Sequence, residues 1–164
     1  MNKCCNDFYN QTIRLLFYPE VSHKELKEAG VVRTGMHSDY GTITLLFQKP
    51  GKSQNGLRAL NAEKKWVKVN PPDYCLVVNL GDMFQHWTND YLKSTIHKVE
   101  VDEEVLSSLE KNEIENAPER QTIVMFCDPD RGHVFETLPG FGAKKYEAIN
   151  GKEYAIGRIK ATYG

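Results

Sequence analysis

The sequence has no apolar run approaching the roughly 20 residues that a membrane-spanning helix needs. Its first ten residues, MNKCCNDFYN, lack the basic-then-apolar order of a signal peptide. It has no charge excess either, since 21 Lys and Arg against 22 Asp and Glu leave a formal net charge of −1. That balance gives no electrostatic reason to expect a nucleic-acid or membrane partner and directs attention to a small-molecule substrate. Cysteine is scarce: Cys4, Cys5, Cys75 and Cys127 form no C-x-x-C pair and no spacing that reads as a zinc site or a disulfide framework. All four are expected to be reduced, in a protein of the cytoplasm. Cys75 and Cys127, inside apolar strand-like runs, are expected to be small buried hydrophobes. Nothing in the sequence bears on oligomeric state.

Repeats and low-complexity tracts are absent too, and 164 residues make one domain the default. What the chain does contain is a series of short runs rich in Val, Ile, Thr, Leu and aromatics: Thr12–Tyr18, Val31–Met36, Thr42–Phe47, Gly56–Leu60, Trp66–Val69, Tyr74–Leu80, Ser94–Glu100 and Gln121–Cys127. Turn chemistry divides them at Pro19, Gly51 to Gly56, Asn70-Pro71-Pro72-Asp73, Gly81-Asp82 and Asp128 to Gly132. Eight short strands without intervening helices predict a mainly β sandwich or jelly roll. Ser22 to Ala29 reads as a short helix after the first strand, with Ser22 at the N-cap and Gly30 just beyond the end. Tyr146 to Tyr163 reads as a C-terminal helix with a turn at Asn150-Gly151. The acidic stretch Val101 to Glu119 is longer than a hairpin requires, and reads as a solvated helical excursion or, alternatively, a lid.

His37-Ser38-Asp39 sets an imidazole and a carboxylate two residues apart at a strand end, where the period of two turns both to one face. An H-x-D tripeptide alone is common by chance. A second histidine from a neighbouring strand would complete the two-histidine, one-carboxylate face associated with non-haem iron(II). His97 in the alternating run Thr95-Ile96-His97-Lys98-Val99 is the candidate. Arg120 and Thr122 share a face of the last strand by the same period, and a guanidinium beside a hydroxyl is a fitting anchor for a carboxylate. In isolation Arg120 also reads as an ordinary surface arginine next to Glu119. His86, beside Trp87, competes with His97 for the place of the third ligand. His23 and His133 have no partner at ligand spacing, and Asp82 reads as a turn residue.

The order I-R-x-x-x-Y-P, G-M-H-S-D-Y-G-T-I-T-L-L-F-Q, G-L-R-A-L, W-V-K-V, V-V-N-L-G-D-M-F-Q-H-W-T-N-D, S-T-I-H-K-V and R-Q-T resembles the 2-oxoglutarate and iron(II)-dependent dioxygenases of the isopenicillin N synthase-like group, from Ile13 to Asp130. That resemblance implies a double-stranded β-helix, or jelly roll, of eight strands. It implies iron(II) held by His37, Asp39 and His97, with His86 between strands in a packing or pocket-lining place, and 2-oxoglutarate anchored by Arg120 and Thr122 with support from Tyr18. O2 would be the co-reactant and ascorbate an optional reductant. Leu16 stands where the group often has Asn.

The implied reaction is oxidative decarboxylation of 2-oxoglutarate coupled to hydroxylation of a small organic substrate, with desaturation or ring closure using the same residues. Members of the group are about twice this long, so residues 1–164 are expected to form one catalytic domain, its barrel over 12–130, without the group's N-terminal region. Two alternatives stay open. One is a remnant that keeps the metal site and acts at most as a binding module; the other is an oxidase of the same fold that works without 2-oxoglutarate.

Overall fold

The computed structural model describes residues 11–51, 56–130 and 132–163. Cys4, Cys5, most of the expected 51–56 turn and Arg131 lie outside them. In chain order the elements are β1 (Thr12–Tyr18), β2 (Val21–Ser22), α1 (His23–Ala29), β3 (Val32–His37), β4 (Ile43–Gln48), β5 (Leu57–Leu60), β6 (Trp66–Lys68), β7 (Val77–Leu80), α2 (Asp82–Trp87), β8 (His97–Glu100), α3 (Glu103–Glu110), β9 (Asn116–Ala117), β10 (Arg120–Cys127), β11 (Val134–Phe135), β12 (Ile149–Asn150) and α4 (Gly151–Tyr163). Eight of the strands form two four-stranded sheets, ordered β1-β10-β4-β7 and β3-β8-β5-β6. Every pairing within them is antiparallel. These are the eight expected strands of the jelly roll, and the other four strands are two-residue pairs outside the sheets. No helix among the described residues is long and apolar enough to cross a membrane.

Side-chain alternation decides what the sheets enclose. β10 opens buried, exposed, buried, exposed, buried, which turns Arg120, Thr122 and Val124 inward and Gln121 and Ile123 outward. In β1, Leu16 and Tyr18 turn inward beside them, whereas Ile13, Leu15 and Phe17 stand 61–77% exposed on the outer face. Near its end β1 therefore carries large side chains on both faces, so the run Leu15-Leu16-Phe17-Tyr18 reads as continuous rather than alternating.

α1 has the expected ends. The Ser22 side chain accepts from the Glu25 amide while the Glu25 carboxylate accepts from the Ser22 amide, and Gly30 leaves the helix at φ 85. The stretch Val101 to Glu119 is more than a solvated excursion. α3 starts on Asp102, whose carboxylate accepts from the Glu104 amide and takes Lys68 Nζ at 2.7 Å. Leu109 then packs with Leu26, Val101 and Ala117 in a small buried cluster, and β9 pairs with β2. The apolar stripe of an otherwise acidic helix thus packs against α1 and β9.

Three expectations are corrected. Cys75 is exposed, because the turn after Pro71-Pro72 carries the chain as far as Cys75, whose amide bonds to Pro72 O, and β7 begins only at Val77. The C-terminal helix begins at Gly151, since Ile149 and Asn150 pair with β11 instead. Gly81-Asp82 is the start of α2 rather than a simple turn. Beyond α2, Asn89 donates to Phe141 O and Ala143 O and accepts from the Lys145 amide, which ties the segment before α4 to the end of α2. Asp90 reinforces the tie: the Tyr146 hydroxyl foremost, with Gln85, Lys145 and Lys93, holds its carboxyl down to about 2 despite some desolvation.

Because Leu109 is 1% exposed, Leu109→Ala is expected to cost about 2–5 kcal/mol of stability by urea unfolding. A loss below about 1 kcal/mol would contradict a structural role for the 101–119 segment.

Candidate metal centre

His37 and His97 face each other as register partners at the ends of β3 and β8, with ring centroids 4.3 Å apart. Each ring is fixed through Nδ1: His37 lies 2.8 Å from Gly35 O and His97 2.9 Å from Thr95 O. A carbonyl only accepts, so Nδ1 carries the proton and, in the neutral ring, Nε2 presents its lone pair. Both Nε2 atoms lie 3.8 Å from Asp39 Oδ1. That is too long for a hydrogen bond, and within the about 4.2 Å that two donors can span when each sits ~2.1 Å from one ion.

Asp39 is not on a strand end as expected, but two residues past it, in the 38–42 connection to β4. Its convergence with the histidines is set by other contacts. Asp39 Oδ2 accepts from Thr44 Oγ1 and Asn79 Nδ2, each at 2.6 Å, and Thr44 and Asn79 are register partners in β4 and β7. Oδ1 is thereby turned toward the histidines, with the residue 7% exposed. Ligand atoms of His37, Asp39 and His97 all lie within 4.8 Å of one another, and no other such group of three occurs among the described residues. Two neutral imidazoles and one carboxylate are a donor set suited to a divalent transition metal with positions left open, so the site fits iron(II).

The same cavity, of about 130 Å³, runs on to Arg120, Thr122 and Tyr18. Register places Tyr18 opposite Arg120 and Leu16 opposite Thr122. The guanidinium, 3% exposed, lies over the Tyr18 ring at 5.4 Å, and the Tyr18 hydroxyl shares a 2.9 Å hydrogen bond with Thr34 Oγ1. Burial lowers the Arg120 pKa, Tyr18 opposes the shift and Arg33 adds to it. From so high a starting value the group stays charged. The Thr122 hydroxyl, 4% exposed, has no hydrogen-bond partner among the described residues. A buried cation beside an orphaned hydroxyl suits a carboxylate with oxygens to spare, as 2-oxoglutarate presents. Arg120 is thus no surface arginine.

Thr44, Asn79 and Thr34 were not singled out from the sequence. The signal was present for Asn79, a polar residue at an inward position of the apolar run Val77-Val78-Asn79-Leu80. His86 lies on α2 with its ring 4.7 Å from that of Tyr146, in a separate cavity of about 680 Å³. Burial lowers its pKa. His133 packs on Trp87 and Phe135, and His23 opens α1. Asp82 does more than shape a turn, since it accepts from Ser38 Oγ at 3.1 Å and pairs with Arg158 at 3.0 Å.

Outer hydrogen bonds that orient ligands are worth about 10–100-fold in metal affinity. Asn79→Ala and Thr44→Val are each expected to raise the Kd for Mn(II) by that factor, measured by electron paramagnetic resonance titration; wild-type affinity in both would contradict the assigned role of Asp39 Oδ2.

Comparison with known proteins agrees with this geometry. Residues 9–129 match the profile of the 2OG-Fe(II) oxygenase superfamily. The chain is 38% identical over 136 residues to the UPF0676 protein C1494.01 of Schizosaccharomyces pombe, covering 79% of this chain and 37% of that one. It is 30% identical to the 2-oxoglutarate-dependent dioxygenase ucsF of Acremonium sp, covering 92% of this chain and 47% of the other. It therefore spans less than half the length of these two relatives. Among solved structures, a full-length Neurospora crassa protein in complex with alpha-KG superposes with a TM-score of 0.80 at 36% identity, over 94% of this chain and 45% of that one. A second structure of that Neurospora crassa protein holds alpha-KG together with thymine. With the profile matched across both sheets and all three converging side chains, the chain belongs to the 2OG-Fe(II) oxygenase superfamily.

Proposed function

We propose that residues 1–164 act as a single catalytic domain that couples oxidative decarboxylation of 2-oxoglutarate to oxidation, by default hydroxylation, of a small organic molecule. The observation that carries this reading is the pairing, in one cavity, of three convergent metal-type lone pairs with a buried guanidinium. His37, Asp39 and His97 are the metal ligands. Arg120 binds the far carboxylate of 2-oxoglutarate, with the Thr122 hydroxyl as donor and Tyr18 as the wall that holds the guanidinium in place. Leu16 lines the same cavity and has no polar side-chain atom, so it offers the cosubstrate no hydrogen bond where the group often has Asn.

Iron(II), when bound, supplies the redox chemistry that makes O2 reactive; one oxygen atom goes to succinate, formed with release of CO2, and the other to the substrate C–H bond. The protein binds and orients the reactants and keeps water out. His37 is 37% exposed at its side chain, His97 16% and Asp39 7%, so the open side of the centre lies at His37. A small-molecule substrate is consistent with thymine in the Neurospora crassa complex. A cytoplasmic setting suits Cys75 and Cys127, neither of which is in a disulfide.

The test is succinate release from purified protein given iron(II), ascorbate, O2 and 2-oxoglutarate. Release that requires iron and disappears in His97→Ala supports the reading. Arg120→Gln removes a charged hydrogen-bonding partner, worth about 1.5–3 kcal/mol, and is expected to raise the KM for 2-oxoglutarate by about 10- to 150-fold. Succinate release that is absent in the wild type, or unchanged in either variant, refutes it.

A further inference from the structure

Asp39 belongs to no strand, so no ladder of hydrogen bonds places it. The 38–42 connection is held instead by the start of α2, where the Asp82 amide donates to Asp39 O at 2.8 Å, Gly81 to Thr42 O at 2.7 Å and Met83 to Gly41 O at 3.1 Å. This close approach needs glycine at 81, because a Cβ there would stand 2.3 Å from Gly41 O. The Asp82 side chain continues the grip by accepting from Ser38 Oγ at 3.1 Å.

A third element completes it. Arg158, on α4, puts Nη2 3.0 Å from Asp82 Oδ2 and 3.2 Å from Ser38 Oγ, and its guanidinium lies 5.1 Å from the centre of the Tyr40 ring. One arginine thus touches Ser38, which separates two of the three convergent side chains, and Tyr40, which follows the second. It also touches the carboxylate of Asp82, whose backbone carries Asp39. Asp82 is 15% exposed at its side chain and Arg158 41%, so the pair is partly shielded from water and can hold a fixed geometry better than an open surface pair. Both contacts come from Nη2, whose two N–H groups can serve the two oxygens at once.

We propose that Arg158 is a positioning residue for the metal centre: its ring of contacts with Asp82 and Ser38 fixes the 38–42 connection and so aims Asp39 Oδ1 at the ion. This rests on His37, Asp39 and His97 being the metal ligands. A role confined to fastening α4 would instead affect stability and leave the bound metal unchanged.

Mn(II) affinity by electron paramagnetic resonance, the Co(II) absorption spectrum at saturation and the metal-free melting temperature separate the two. Arg158→Ala is expected to weaken Mn(II) binding about 10- to 100-fold and to alter the Co(II) spectrum. Arg158→Lys, which keeps the charge without the planar guanidinium, is expected to recover part of the affinity, and Ser38→Ala to lose less than Arg158→Ala. A lowered melting temperature with wild-type affinity and spectrum in Arg158→Ala overturns the proposal. Should that variant not fold, wild-type affinity and spectrum in Ser38→Ala overturn it. Absence of Mn(II) binding in the wild type would defeat the ligand assignment itself, and is thereby distinct from failure of Arg158 alone.

Discussion

The proposed metal centre depends on three hydrogen-bonding choices, each of which occupies one polar atom of a side chain and frees another. Two backbone carbonyls hold Nδ1 of His37 and His97, and a hydroxyl and an amide hold Oδ2 of Asp39. What remains, two Nε2 and one Oδ1, faces a common point. Without those outer contacts the rings would be free to turn and the carboxylate to rotate. The donor set would then be a cluster of polar groups rather than a chelate.

The barrel makes these contacts possible by register. Opposed positions on neighbouring strands supply the partners in pairs: His37 with His97, Thr44 with Asn79, and Tyr18 with Arg120. A one-residue slip in one of these pairings would send one member of that pair to the outer face. The charged Arg120 is tolerated in a buried position because the same cavity offers it the ring of Tyr18 and room for an anion.

Much of this was legible in the sequence, and the residues show why. Strands of four or more residues announce themselves by composition, and β1 falls on Thr12–Tyr18 as read. The period of two put Arg120 and Thr122 on one face. His97 is preferred over His86 on the family resemblance, which puts His86 between strands, and β8 does begin at His97 while His86 lies on α2. The rest had weaker local signals. α2 spans six residues, too few for a helical period to appear, and its first two look like a turn. α3 did carry an apolar stripe, Val105, Leu106 and Leu109, masked by its acidic neighbours. β2 and β9 hold two residues each and have no pattern to read. The link from Arg158 to Ser38 crosses 120 positions, and only the folded arrangement of α2 and α4 brings it about.

The most direct measurement is a crystal structure of the protein with Mn(II) and 2-oxoglutarate, prepared without oxygen. One ion is expected, bound by Nε2 of His37, Nε2 of His97 and Oδ1 of Asp39, with the far carboxylate of 2-oxoglutarate on Arg120. An ion bound through Nδ1 of either histidine, or held elsewhere, would contradict this arrangement.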